Sequence, residues 1–129
     1  MRPDESTHAE DWLRIARKDL SRCRHLLAED DPEAAGFFLQ QALEKYLKAF
    51  LLSKGWLLKR IHDLEMLLND CLRYDASLEP FRSLCQRVTD YYVVERYPLT
   101  LEAGIDAEDV RQSLSEAETL ARKIEAQMA

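Results

Sequence analysis

A chain of 129 residues, 47% hydrophobic and 33% charged, has the balance of one globular domain and can bury a core without a metal or disulfide staple. Its net charge of −6 argues against a free-standing binder of duplex nucleic acid, which needs a phosphate-neutralising surface. Apolar runs such as Ala49-Phe50-Leu51-Leu52 are too short to span a membrane, and Met1-Arg2-Pro3-Asp4-Glu5 is polar where a secretion leader is apolar, so a single cytoplasmic domain over 1–129 is expected.

The first helix is predicted from near Thr7, with Thr7 and Glu10 in capping-box register. Leu13, Ala16, Leu20, Cys23 and Leu27 follow at three- and four-residue spacing, an apolar seam widened by Trp12 and Ile15. Glu29-Asp30-Asp31-Pro32 breaks the pattern, with Asp31 as a cap and Pro32 at the first helical position of helix two. Helix two carries Ala35, Phe38, Leu39, Ala42, Tyr46, Ala49 and Phe50 on one side and stops at Gly55. Residues 56–61 form a bulky, basic connector expected to pack down rather than swing freely.

Helix three is predicted from His62, with Leu64, Leu67, Leu68 and Cys71 as its apolar side. Ser77 is placed to cap helix four, with Pro80 in its first turn, and Leu78, Phe81, Leu84, Cys85, Val88, Tyr91 and Tyr92 follow. Pro98 ends that helix. Asp106 caps helix five, where Val110, Leu114, Ala117, Ala121, Ile124 and Met128 repeat to the C-terminus. No strand signal stands outside a helical pattern. Short connections make the expected fold an all-α, up-and-down antiparallel bundle of about five helices. Cys23, Cys71 and Cys85 are odd in number and scattered, which suggests reduced, mostly buried thiols and no metal site.

Helix two holds more organised polarity than a core helix needs. Gln41, Glu44, Lys45 and Lys48 share one side at three- and four-residue spacing. Glu44 and Lys48 fit either a surface ion pair or part of a ligand face. His62-Asp63 fits either helix capping or a titrating pair in a polar site. Arg96-Tyr97-Pro98 fits either a helix stop or an anion clamp in which a guanidinium sits beside a stacking ring. Residues 43–62 carry five cations against the one acid Glu44, a basic strip on an acidic body. Tyr91, Tyr92, Val93 and Val94 offer apolar surface in several directions, which suggests a subunit interface.

Asp19-Leu20, Phe38 with Gln40-Gln41-Ala42, Glu44-Lys45-x-x-Lys48-Ala49, His62-Asp63-Leu64 and Arg96-Tyr97-Pro98, in this order, resemble the HEPN domain family. The resemblance implies a helical bundle that forms homodimers and often works with a separately encoded minimal nucleotidyltransferase. Together with the basic strip it leads to the expectation of a module that binds a nucleotide or that partner, with Gln41, Glu44, Lys45, Lys48, His62, Asp63, Arg96 and Tyr97 as its ligand-binding residues. Lys48 and Arg96 are expected on phosphate, Tyr97 on the base, and His62 as a hydrogen-bond donor oriented by Asp63.

Some family members are toxin ribonucleases of toxin–antitoxin pairs, marked by an Arg followed after four to six residues by a His late in the fold. No His follows His62 here, and Arg2 and His8, which have that separation, precede helix one. The Gly-Ser element and spaced acids of a nucleotidyltransferase are also missing. The expectation is therefore a binding module with no catalytic residues and no cofactor; the alternatives are a toxin-type ribonuclease or a dimerising scaffold.

Overall fold

The computed structural model describes residues 6–96 and 105–128, and the side chains of all of these except 92–96. Its helices are α1 (Ala9–Ala28), α2 (Pro32–Ser53), α3 (Leu64–Leu72), α4 (Arg82–Arg96) and α5 (Ala107–Met128), with a 3-10 segment at Ala76–Phe81 before α4. Among the described residues there is no strand, and no helix is long and apolar enough to cross a membrane. The five-helix, all-α bundle expected from the apolar periodicities is the observed fold.

α2 is the axis of the bundle and packs against α1, α3, α4 and α5. That central position explains a misreading of its pattern. Leu43, Leu47 and Leu51 are buried as well as Leu39, Ala42, Tyr46 and Phe50, so helix two has no broad solvent face. Gly36 lets α4 come close: a Cβ there would sit 3.0 Å from Tyr91 Cβ and 3.3 Å from Ile105 Cδ1. Tyr91 in turn is spent inside the chain, its hydroxyl 3.2 Å from Ser113 Oγ on α5, rather than on a subunit interface. Tyr92, Val93 and Val94 have side chains outside the described set.

The helix ends show which local signals the chain obeys. α1 starts at Ala9 with His8 at the N-cap and no side-chain cap, so the Thr7–Glu10 box does not form. Trp12 wins that competition. Its buried indole N–H needs an acceptor and finds the Ser6 carbonyl at 2.7 Å, which draws Ser6 over the first turn. Ser6 Oγ donates to Asp11 at 2.6 Å and holds that carboxyl below the ordinary range.

α1 and α2 end alike. Asp31 N–H bonds the Leu26 carbonyl and Asp30 N–H the Leu27 carbonyl, with Asp30 left-handed at φ 59°. Trp56 N–H bonds Leu51 and Gly55 N–H bonds Leu52, with Gly55 at φ 88°. The expected Asp31 cap accepts from Ala34 N–H at 3.3 Å.

Past Gly55, Trp56, Leu58 and Ile61 pack on the core, and Trp56 Nε1 donates to Asp70 at 3.1 Å. The connector is thus packed down, with Leu57 turned outward. α3 begins two residues later than expected, because Asp63 is its cap and accepts from Met66 N–H at 3.1 Å. Ser77 does not cap helix four. Asp75 caps the 3-10 segment, accepting from both Ser77 N–H and Ser77 Oγ. Pro80 has no N–H for an α-type bond, and the α-helix proper starts only at Arg82. Asp106 accepts from Glu108 N–H at the head of α5, as its position implied. Cys23, Cys71 and Cys85 are free and buried. Burial pushes the Cys23 and Cys85 thiols up to about 12 and raises Cys71 as well.

Candidate functional site

The α1–α2 interface carries a line of polar side chains through otherwise apolar packing. Asp19, Gln40, Glu44 and Lys48 are all buried there. Asp19 takes Arg22 Nη1 at 2.6 Å on one oxygen and Lys45 Nζ at 3.1 Å on the other. Lys45 also donates to Gln41 Oε1 at 3.1 Å, Gln41 Nε2 donates to Gln40 Oε1 at 2.6 Å, and Gln40 Nε2 donates to Glu44 Oε1 at 3.5 Å. Glu44 Oε2 receives Lys48 Nζ and His62 Nδ1, each at 3.0 Å. The line thus runs from exposed Arg22 on α1, along one side of α2, to His62 on the connector. Two of its cations rest on rings: Arg22 on Phe38 at 5.6 Å and Lys48 on Trp12 at 5.2 Å.

Glu44 and Lys48 are 6% and 3% exposed, so the pair is interior and not the surface ion pair that spacing alone allowed. Burying two charges costs several kcal/mol each, roughly, unless every remaining lone pair and proton is met. Here they are met. Among the described residues the one buried side-chain polar atom without a partner is Arg87 Nε, which lies elsewhere.

His62 is the most exposed member of the line, with its side chain 75% exposed. Glu44 offers Nδ1 an acceptor, so Nδ1 carries the proton. Nε2 has no partner among the described residues. A ring held in this way presents one nitrogen with a defined role, acceptor when neutral and donor when charged.

Of the residues singled out in the sequence, Gln41, Glu44, Lys45, Lys48 and His62 meet in this line. Asp63 does not join it: its carboxylate is the α3 cap, and the acid that orients His62 is Glu44, eighteen residues earlier. Sequence adjacency favoured Asp63, but the α3 N-terminus needed that oxygen more. Lys48 is too buried to reach a phosphate in solvent. The Arg96 side chain, Tyr97 and Pro98 lie outside the described residues. The basic strip also changes character. Lys45 and Lys48 turn inward onto acids, while Lys54 and Lys59 are exposed, Lys59 over the Trp56 ring and Lys54 over Phe50.

Arg22, Gln40 and Asp19 belong to the line but were not read as site residues. An acid at position 19 inside the apolar seam of α1 was the available signal, since such a residue is buried only with a partner.

A family model described as HEPN domain matches residues 9–127. The crystal structure of ST0689, an archaeal HEPN homologue, superposes with a TM-score of 0.74 at 24% identity, covering 95% of this chain and 98% of that one. The crystal structure of TT1696 from Thermus thermophilus is 34% identical, with a TM-score of 0.71, and covers 94% of this chain and 95% of that one. Among curated proteins, none matches this sequence. The family match spans nearly the whole bundle, including every helix that carries the polar line: the chain belongs to the HEPN domain family.

Proposed function

We propose that this HEPN domain is a non-catalytic module that binds a nucleotide at the connector end of the polar line. The observation that carries the reading is His62, exposed yet fixed by buried Glu44, on a connector that also displays Lys54 and Lys59. A polar group held by a buried ion pair is preorganised for a ligand, which lowers the ordering cost of binding. The connector cations and Arg96 take the phosphate role that buried Lys48 cannot. Tyr97 frames the base, and His62 reads a polar edge through Nε2.

The working unit is a homodimer, and a separately encoded minimal nucleotidyltransferase is its proposed partner; both rest on family resemblance. Calorimetric titration of the protein with purine and pyrimidine nucleotides tests the ligand reading. Saturable binding that weakens at least tenfold in His62→Ala and Arg96→Ala supports it. Wild type and both variants behaving alike toward every nucleotide sinks it. The same protein incubated with RNA checks the ribonuclease alternative, which requires cleavage that disappears in His62→Ala.

A further inference from the structure

The chain has three histidines, His8, His25 and His62, all exposed. His8 stands at the α1 N-cap and His25 in the last turn of α1. Among the described residues, only His62 has a ring nitrogen hydrogen-bonded to a carboxylate. Packing does not account for the arrangement, because the His62 ring is mostly in water. Charge balance does not account for it either, because Lys48 already pairs with the same Glu44 oxygen at 3.0 Å. What the second hydrogen bond adds is control of the imidazole. It places the proton on Nδ1 and leaves the lone pair on Nε2.

We propose that His62 is a phosphoryl-acceptor histidine, with Nε2 the nucleophile and Glu44 its positioning residue. The Nε2 lone pair attacks the phosphorus of an activated phosphoryl donor and a nitrogen–phosphorus bond forms. The bond from phosphorus to the leaving group breaks, and the leaving group departs with its electron pair. The ring is then cationic, with Nδ1–H still directed at Glu44, until that proton passes to water. Lys54 and Lys59 are exposed on the same connector and supply positive charge for the incoming dianion. Trp56, anchored by its bond to Asp70, keeps Lys59 at this end. The proposal does not rest on nucleotide binding, and a nucleotide titration neither supports nor weakens it.

The test treats the intact protein with phosphoramidate, a small phosphoryl donor, and follows phosphate on each histidine by peptide mass spectrometry. His62 is expected to gain phosphate about tenfold faster than His8 and His25 in the same sample, a barrier lower by about 1.4 kcal/mol. Phosphorus NMR should place the adduct on Nε2. In Glu44→Gln/Lys48→Met, which removes both buried charges together, the preference should vanish while His8 and His25 keep their rates. A parallel arm with ATP identifies the source: labelling marks a nucleoside triphosphate, and labelling by phosphoramidate alone marks a phosphorylated protein or small acyl or nitrogen phosphate. Equal rates at the three histidines of wild type, or an adduct on Nδ1, overturn the proposal, and neither result depends on a variant folding.

Discussion

Removing one partner of the Glu44–Lys48 pair should be far more damaging than removing both. The two groups are 6% and 3% exposed with Nζ and Oε2 3.0 Å apart. At an effective dielectric of about 20, that separation corresponds to a gross attraction of about 5–6 kcal/mol, most of it offset by desolvation. Glu44→Gln leaves the Lys48 ammonium with little besides the Trp12 ring, and Lys48→Met leaves the Glu44 carboxylate with His62 and Gln40. Each single substitution should cost about 3–5 kcal/mol, on the order of 10–20 °C in melting temperature for a domain of this size. Glu44→Gln/Lys48→Met should lie within about 1 kcal/mol of wild type, because Met fills the Lys48 volume and no buried charge is left unpaired. Urea unfolding of the four proteins gives the coupling energy, expected at about 5 kcal/mol or more from these values. Single effects that add within about 0.5 kcal/mol would mean the charges do not meet in solution, and the interior network would be wrong.

Gly36→Ala should lose about 1 kcal/mol in the same unfolding assay: overpacking against Tyr91 Cβ, which cannot move without α4, outweighs the helix propensity gained. A more stable Ala variant would show that α2 and α4 are not in close approach. Asp30→Gly should gain about 0.5–1 kcal/mol, since it relieves a left-handed aspartate and removes an acid from the negative end of α1. A loss on that substitution would point to a role for the carboxylate. The pH dependence has two limbs. Cys23 and Cys85 are raised from 9.0 to about 12, so their contribution is full below the ordinary thiol range and is lost as pH rises through about 12. Asp11 and Asp75 are depressed by hydrogen bonds from Ser6 and Ser77, so their contribution is full above the ordinary carboxylate range and is lost as pH falls through their folded values. Melting temperature should be flat from about pH 5 to 8 and fall on both sides. Native thiols that react readily with a disulfide reagent at about pH 8 would contradict the burial.

The helices were legible because α1 and α5 each present a single apolar seam, and periodicity reports such a seam directly. α2 was harder, since a helix buried nearly all round has no contrast between faces. Gln41, Glu44, Lys45 and Lys48 were visible as a polar set, yet their inward direction was not, because spacing fixes which residues share a side and not what that side meets. The Glu44–His62 contact joins residues eighteen apart across a turn, and no local rule reaches it. Local rules also pointed to Thr7 and Ser77 as caps, and both lost to neighbours with a stronger demand: the buried indole of Trp12 and the Asp75 carboxylate.

Buried Glu44 holds His62 by Nδ1, and the rest of the site depends on that contact. Long-range proton–nitrogen NMR of the imidazole reads this directly in the neutral ring. It should show His62 with its proton on Nδ1 and an unprotonated Nε2, and this state should be lost in Glu44→Gln/Lys48→Met. A neutral His62 with its proton on Nε2, or a spectrum matching those of His8 and His25, would contradict the account.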